Sequence, residues 1–432
     1  MSEVTIAVQE LGDGQLSVGR VFDDGSFTGQ LNLADPDIVV DPYPVYRTLR
    51  AASPIFRSEG LFGGRWVVLN HDDIIALLSD AVHLSNAKSR GIVDDLPKEQ
   101  QGQFDKLLTL HSRWMVFFDA PKHTRLRKLI AKGFTPQVKD KLGEAVKRQV
   151  AALLASCEGK EIIDVVEDFA RYIPLSAVSS LLGVPLEALP LFSRWIGDIA
   201  AYMGSEKPDL GLMKKAEQSM IEFENFFRDL IAERRLRPVR DDLLSLLISA
   251  EEDGDVLSEE ELFAQCTFIS FTGNETTKNL IGNAIYTLLS HPSQYRALIE
   301  DPSQIGRAID EVLRFECPVQ FVGRIVKQDF TYKSARLEKG QYVILMIGAG
   351  NRDPEIFNDP EQLNIHRDDS PPISFGAGAH MCLGRGLAHL EAEIAVGAFL
   401  AKFPGAQLES PRVKWHNNPG LRGLEHLRVR VA

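Results

Sequence analysis

The sequence has few cysteines and no long apolar run. Its 432 residues include four widely separated cysteines, Cys157, Cys266, Cys317 and Cys382. Their spacing gives neither a disulfide framework nor a paired zinc motif. The sequence has no run of about 20 consecutive apolar residues, which excludes an ordinary membrane-spanning helix. Residues 1–20 lack a basic start followed by an apolar stretch, so we expect no signal peptide and a cytoplasmic protein.

An excess of basic residues is also lacking. The formal net charge is −12, and nucleic-acid-binding domains normally carry a basic face, so this class is disfavoured. Hydrophobic residues at 44% and charged residues at 25% are typical of a globular protein with a sizeable core. We find no linker, internal repeat or low-complexity tract. The sequence therefore predicts one large domain over residues 1–432, with a flexible segment at residues 1–25.

Apolar residues at helical spacing dominate from Pro121 onward. Ser258 and Glu261 form a capping-box pair that opens a helix of roughly thirty residues, far above the usual mean of about 11 to 12. We expect this helix to cross the molecule, and short strands are expected at 65–69 and 341–346. The fold class is thus mainly α with small β-sheets. Further helices are predicted at 123–132, 138–156, 174–182, 213–235, 241–249, 305–314 and 383–403.

Two segments are interpreted as mobile lids over the substrate site. Residues 87–110 are polar and lack a regular pattern, and a loop this long in a compact domain is usually functional or mobile. Residues 182–235 are interpreted as a pair of helices whose closure excludes water. The first segment is predicted to act as a substrate lid.

The most informative segment, residues 375–384, reads Phe-Gly-Ala-Gly-Ala-His-Met-Cys-Leu-Gly. Its glycines allow tight turns and close approach of the backbone to a flat ligand. Cys382 lies where a helix is predicted to begin, and a helix N-terminus lowers the pKa of a thiol and offers N–H donors to its sulfur. A lone intracellular cysteine is more often a buried structural residue, so the spacing must decide between these interpretations.

The segment closely resembles the haem-binding signature of the cytochrome P450 family, Phe-Gly-x-Gly-x-His/Arg-x-Cys-x-Gly, which places Phe375 and Gly384 at fixed positions. The resemblance implies a cytochrome P450 fold with its long central helix over haem b. It implies that Cys382 is the axial iron ligand and that His380 contacts a haem propionate. A thiolate ligand favours O–O cleavage. The other three cysteines are interpreted as structural.

Within the long helix, residues 272–277 read Thr-Gly-Asn-Glu-Thr-Thr. An acid and hydroxyls in an apolar helix are costly unless they have partners. The alternative is that the threonines only pack or bond back to the helix. The segment resembles the family motif Ala/Gly-Gly-x-Asp/Glu-Thr-Thr, except at Thr272. The resemblance implies that Gly273 permits close approach, that Thr276 donates to dioxygen and that Glu275 relays protons.

Candidate anchors for the haem propionates lie outside the cysteine segment. His123 and Arg127 are one helical turn apart, and such donors suit carboxylates, although a charged helix face is usually just solvated. Their segment resembles the family element His-Thr-Arg-Leu-Arg. Arg324 is a further candidate by similarity of position.

Glu311 and Arg314 are spaced as an ion pair on one helix face. From the spacing alone, a weak solvated pair is as good an interpretation as a buried one. The resemblance implies a Glu-x-x-Arg pair that serves the fold. The arginine that usually joins this pair is replaced by Gln362, and Arg352 or Arg367 remain alternative substitutes.

The sequence has no dinucleotide-binding fingerprint, so separate electron donors are implied. A ferredoxin or flavodoxin with its reductase is expected to dock on a basic patch. We define this patch as Lys122, Arg125, Lys128 and Lys132.

The resemblance places a largely apolar substrate pocket at Ile269, Thr272, Gln320, Val322 and Leu421. We therefore expect a monomeric monooxygenase of secondary metabolism that hydroxylates or epoxidises a small hydrophobic molecule with O₂. The alternatives are an atypical haem-thiolate enzyme, driven by peroxide or catalysing coupling or dehydration, and a non-catalytic haem sensor.

Overall fold

The computed structural model describes residues 5–12, 14–21, 31–58, 60–88, 98, 102–205, 208–236, 242–249, 251–252 and 255–431. Helices account for most of these residues and strands for few, as the sequence predicts. The α-helices are α1 (Pro36–Val40), α2 (Tyr43–Ala52), α3 (His71–Ser79), α4 (Asp105–Ser112), α5 (Lys122–Ala131), α6 (Pro136–Ser156), α7 (Tyr172–Leu182), α8 (Leu189–Gly204), α9 (Leu210–Arg235), α10 (Leu243–Ser249), α11 (Glu259–Ser290), α12 (Pro292–Glu300), α13 (Ile305–Phe315), α14 (Ile347–Gly350) and α15 (Arg385–Lys402).

The strands are short and form several small sheets. Seven of them make the largest sheet, in the order β1-β2-β3-β4-β12-β9-β5. The smaller sheets are β10-β11, β13-β16-β6, β14-β15 and β7-β8. The bounds are β1 (Thr5–Gly12), β2 (Gln15–Val21), β3 (Ile55–Arg57), β4 (Trp66–Val68), β5 (Leu84–Ser85), β6 (Ile162–Asp164), β7 (Glu251–Glu252), β8 (Asp255–Val256), β9 (Val322–Val326), β10 (Phe330–Tyr332), β11 (Ala335–Leu337), β12 (Tyr342–Leu345), β13 (Gln407–Leu408), β14 (Lys414–Trp415), β15 (Leu424–His426) and β16 (Arg428–Arg430).

Strands β1 and β2 form an antiparallel hairpin where the sequence analysis expected a flexible segment. The reason is an alternation of apolar and polar residues that buries Leu16 and Val18 and packs Ile6 and Val8 against the same cluster. Gly14 adopts a positive φ of 73° at the turn. The described part of residues 1–25 thus has regular secondary structure, which the sequence analysis did not predict.

Helix α11 is the predicted long helix and runs through the centre of the molecule. Ser258 and Glu261 form the predicted capping box at its start. Buried side chains occur around its whole circumference, which is typical of a helix enclosed by others. It packs against α7, α9, α13 and α15. Two large apolar clusters both include residues of α11, one of them extending through α8 and α9 and the other through α6 and α15.

The predicted lid at 87–110 is described only in part. Residues 89–97 and 99–101 lie outside the described residues, whereas 102–110 form a short 3₁₀ helix and most of α4. The predicted pair at 182–235 corresponds to α8 and α9, which pack against each other. Among the described residues, no helix is both long and apolar enough to cross a bilayer.

Candidate functional site

A cavity of about 340 Å³ lies between α11 and the segment that precedes α15. Its wall is largely apolar. Twelve of the residues predicted from the sequence line it: His123, Arg127, Ile269, Thr272, Gly273, Thr276, Val322, Arg324, Phe375, His380, Cys382 and Gly384. The structure thus brings together four distant parts of the chain around one space.

The cysteine loop is held by a backbone contact and by glycine conformations. The N–H of Cys382 donates to the carbonyl of Phe375 at 2.9 Å, which closes the loop. Gly376 and Gly378 adopt positive φ angles of 72° and 69°. A Cβ at Gly378 would lie 3.0 Å from the Cα of Ser79 on α3, so a larger residue does not fit. The loop presents the Cys382 thiol to the cavity.

The pKa of the Cys382 thiol is raised overall, although the expected N–H donors at the helix start lower it in part. Burial is the largest cause, while N–H groups of Gly384 and Arg385 and the charges of Arg127 and Arg385 lower the pKa in part. The expected N–H donors are therefore present, but desolvation of an anion outweighs them. A cation at the sulfur reverses this balance, because a coordinating thiol is deprotonated.

Basic side chains gather at one edge of the cavity. The rings of His123 and His380 stack with their centroids 3.8 Å apart. Burial lowers the pKa of both, to about 3 for His380. Burial also lowers the pKa of Arg324 to about 10. Arg127 donates to the carbonyl of Met381 at 2.7 Å. This edge is a set of desolvated donors that suits carboxylate groups.

The donors around the cavity fit a haem group. The negative charge of Asp119 raises the pKa of Arg324 at the basic edge. The Asp119 oxygens already accept hydrogen bonds from the Ser85 hydroxyl and the Asn86 N–H. The basic edge therefore retains capacity for two propionates. The cavity adds the thiol of Cys382, which can bind a metal as a thiolate, and glycine backbone that permits close approach. A haem with a thiolate ligand matches this combination of groups.

On α11, Thr276 lines the cavity and Glu275 does not. The Thr276 hydroxyl donates to the carbonyl of Thr272 at 2.9 Å, the back-bonded arrangement considered above. Glu275 is buried and contacts Lys278, with Nζ–Oε1 and Nζ–Oε2 distances of 2.8 and 3.0 Å. Gly273 permits close approach to α7, since a Cβ there would lie 2.8 Å from a methyl group of Val178.

Two residues assigned to the substrate pocket do not line the cavity. Gln320 is buried, and its amide donates to the carbonyl of Cys317 at 2.6 Å and accepts from the Tyr46 hydroxyl at 3.2 Å. Leu421 pairs through its backbone with Val319 and packs against an apolar cluster. Internal partners thus hold both side chains, and the structure does not place either of them on the cavity wall.

The predicted pair of Glu311 and Arg314 forms and is buried. Arg314 donates from Nε and Nη2 to both carboxylate oxygens of Glu311, at 2.7 and 2.8 Å. The third arginine is Arg367, whose Nε lies 3.2 Å from Glu311 Oε2. Arg352 instead contacts Glu361 at 2.6 Å. These contacts decide between the two substitutes that the sequence left open.

Two ionisable residues of the cavity wall were missed by the sequence analysis. Glu391 on α15 is fully buried, its Oε2 lacks a hydrogen-bond partner, and burial raises its pKa to about 8. Glu391 lies one helical turn after Leu387 and so shares its apolar face, and this spacing was the signal in the sequence that could have identified it. Lys88, just after β5, also faces the cavity, and burial lowers its pKa to about 7. No motif marks Lys88.

Comparison with known proteins decides the family, since the model of the cytochrome P450 family matches residues 91–420. The chain belongs to the cytochrome P450 family. Over 401 residues it is 35% identical to the polyketide biosynthesis cytochrome P450 PksS of Bacillus subtilis (strain 168), covering 91% of this chain and 96% of that protein. It is 34% identical to the biotin biosynthesis cytochrome P450 of the same organism, covering 92% and 98%.

A solved structure supports the fold of this P450. The structure of P450BioI in complex with hexadec-9Z-enoic acid ligated acyl carrier protein superposes with a TM-score of 0.85 at 30% identity. The match covers 93% of this chain and all of that one. The predicted cytochrome P450 fold and monooxygenase class are thereby confirmed. Family membership implies a haem cofactor.

Proposed function

We propose that this P450 inserts one oxygen atom from O₂ into a hydrophobic organic substrate, by hydroxylation or epoxidation. The observation that carries the proposal is that the Cys382 thiol and the Thr276 hydroxyl line one largely apolar cavity. When bound, haem b with a thiolate ligand supplies oxygen activation, because the thiolate favours O–O cleavage. The remaining tasks belong to side chains of the chain itself.

The first task is to hold the cofactor. Cys382 is the sulfur ligand in this proposal, and the N–H groups of Gly384 and Arg385 stabilise its anion. Arg127, Arg324, His123 and His380 bind the propionates, because all four line the same side of the cavity. The carbonyl of Phe375 accepts a hydrogen bond from the Cys382 N–H and so fixes the position of the sulfur in the cavity.

The second task is delivery of protons. The Thr276 hydroxyl bonds to its own helix, and rotation about one side-chain bond redirects it into the cavity. Glu275, on the adjoining face of α11, exchanges protons through its contact with Lys278 and the nearby His416. An acid and an alcohol at consecutive positions favour O₂-dependent turnover over a peroxide route or a sensor, since neither of these needs staged proton delivery.

The substrate proposed is largely apolar. Ile269 and Val322 line the cavity, and Thr272 bonds to the carbonyl of Phe268 and so offers little polarity to it. The relatives are named for polyketide and biotin biosynthesis, and one was solved with a fatty acyl chain on its carrier protein. These names support a small hydrophobic molecule of secondary metabolism as the substrate.

A separate ferredoxin or flavodoxin is the electron donor in this proposal. Within the basic patch, Lys122 and Arg125 both contact Glu261, which reduces their local charge. Lys128 and Lys132 are exposed on the same segment. Their exposed positive charges suit an acidic partner. The protein is proposed to act as a monomer.

The proposal is tested by spectroscopy and turnover. The reduced holoprotein is expected to give the carbon monoxide difference band of thiolate ligation, and Cys382→Ser is expected to lose that band. Turnover with O₂, a surrogate ferredoxin and its reductase should then oxidise members of a hydrophobic substrate panel. A normal thiolate band in Cys382→Ser would refute the ligand. A normal band in the parent protein without product from any substrate would favour the sensor.

A further inference from the structure

Lys88 projects an amine into the cavity from the edge of the largest sheet. Strands β5 and β9 pair antiparallel, with Leu84 opposite Val326 and Ser85 opposite Ile325. The chain beyond β5 therefore continues along β9 towards Gly323. There the Lys88 ammonium donates to the Gly323 carbonyl at 2.6 Å. This contact holds the amine at the cavity wall.

The surroundings of this amine are apolar and positively charged. Burial is the main reason that its pKa is lowered to about 7, and the neighbouring charge of Arg324 lowers it further. Among the described residues, no carboxylate lies within 4.0 Å of Lys88 Nζ. A desolvated cation without an acidic partner is costly, and an anion in the cavity would remove that cost.

The position of Lys88 differs from that of the propionate-binding edge. Burial is the largest cause of the lowered pKa of His380, and the charges of His123, Arg324 and Arg127 lower this pKa further. For Lys88 the added charge is that of Arg324. Arg324 Nη1 and Lys88 Nζ donate to the same Gly323 carbonyl, at 2.9 and 2.6 Å. Arg324 is thus the member of the propionate-binding edge that adjoins Lys88.

We propose that Lys88 binds the carboxylate of the substrate, so that this P450 selects free apolar carboxylic acids over neutral analogues. The inference rests on the proposed function and adds the chemical class of the substrate. With its carboxylate at Lys88, the apolar chain of the substrate would extend along Val322 and Ile269 towards Thr276. An acyl group linked to a carrier as a thioester has no charged end, and Lys88 would gain nothing from it.

The protonation of Lys88 gives the selection a pH dependence. A bound carboxylate favours the charged amine and raises its pKa above 7, so binding takes up a proton when the pH exceeds about 7. Acids then bind with their full affinity below pH 7, where Lys88 is protonated, and the affinity falls as the pH rises above 7. Arg324 stays charged, and burial keeps the pKa values of His123 and His380 below their ordinary value, so these groups do not reproduce this trend. Glu391, which lines the same cavity with a pKa of about 8, would repel an acid over the same pH range, so the fall in affinity above pH 7 must persist in Glu391→Gln.

Calorimetric titration of the holoprotein at pH 6.5 tests the inference with dodecanoic acid, hexadecanoic acid and the corresponding alcohols. We expect roughly tenfold to hundredfold tighter binding of the acids, the range for a hydrogen bond to a charged group. Lys88→Met should abolish this preference and leave the alcohol affinity unchanged, whereas Lys88→Arg should retain most of it. Lys327→Met, which removes an exposed lysine just after β9, is the matched control.

Three outcomes would overturn the inference. The first is that acids bind no more tightly than alcohols to the parent protein, and the second is that Lys88→Met weakens the binding of both ligands equally. A third outcome is faster haem loss from Lys88→Met with the acid preference intact, which would make Lys88 a propionate ligand. The carbon monoxide difference band of the same preparations tests the proposed function separately, since its absence refutes haem-thiolate chemistry regardless of the acid preference.

Discussion

The imidazole rings of His123 and His380 lie stacked, with 3.8 Å between their centroids and 26° between their planes. Helix α5 supplies one ring and the loop before α15 the other. Burial lowers the pKa of each, which disfavours the repulsion of two stacked cations. Arg127 and Arg324 are the guanidinium groups at this edge, and the histidine rings add further N–H donors.

Removal of the Thr276 hydroxyl should uncouple electron use from product formation. Thr276→Ala is expected to consume the electron donor at a near-normal rate and to form several-fold less product, because proton delivery loses its alcohol. The measurement is the ratio of product to donor consumed. Thr276→Ser keeps the hydroxyl and should keep the ratio. Full coupling in Thr276→Ala would exclude this residue from the mechanism.

Charge reversal in the basic patch should slow electron transfer. Lys128→Glu with Lys132→Glu is expected to reduce the rate roughly tenfold or more at low salt and to weaken its dependence on ionic strength. Stopped-flow reduction by a surrogate ferredoxin measures both effects. Lys414→Glu reverses one exposed charge on β14, half the change of the double variant, and is the control. Rates equal to those of the parent protein would place the docking surface elsewhere.

The buried pair of Glu311 and Arg314 should stabilise the fold rather than take part in the reaction. Arg314→Met leaves a buried carboxylate with a single arginine, Arg367, and should lower the free energy of unfolding by about 3–5 kcal/mol. Lys147→Met breaks the exposed pair with Glu144 and should cost about 1 kcal/mol or less. Urea unfolding gives both values. Equal losses in the two variants would show that burial does not matter here.

Glu391 should make stability depend on pH. Its pKa of about 8 exceeds the ordinary 4.5, so the folded protein retains a proton that the unfolded chain releases. Its stabilising effect is complete below pH 4.5 and is lost as the pH rises towards 8, by about 1.4 kcal/mol per pH unit. Glu391→Gln removes this loss. The variant should gain on the order of 3 kcal/mol over the parent protein between pH 5 and 8.

Urea unfolding at the two pH values measures this gain. Glu187→Gln changes an exposed carboxylate and serves as the control. A constant difference between Glu391→Gln and the parent protein across this range would show that Glu391 is ionised in the folded state.

Local patterns in the sequence predicted much of the helical framework. The capping box at Ser258 placed the start of α11 within one residue. The spacing of residues 375–384 placed the cysteine loop before the last long helix. These features depend on neighbours along the chain, and so the sequence contains them directly. The sequence analysis did not predict the β1–β2 hairpin, although the alternation of apolar and polar residues that forms it is visible in the sequence.

Features that depend on distant contacts could not be predicted in the same way. The choice of Arg367 over Arg352 follows from where the chain returns to α13. Gln320 has side-chain partners on α2, far from it in sequence. The raised pKa of Cys382 results from burial outweighing local N–H donors, and burial is a property of the assembled fold. Lys88 and Glu391 face the cavity for the same reason.

The contact of Gly378 with α3 has a consequence for the dimensions of the cavity. The missing Cβ lets the cysteine loop rest directly on the backbone of Leu78 and Ser79. The position of the sulfur in the cavity is therefore set by contact with α3, which precedes Cys382 by some three hundred residues, and not only by the residues next to Cys382. Any side chain at this glycine would act as a spacer, moving the loop away from α3 and changing the clearance between the sulfur and α11.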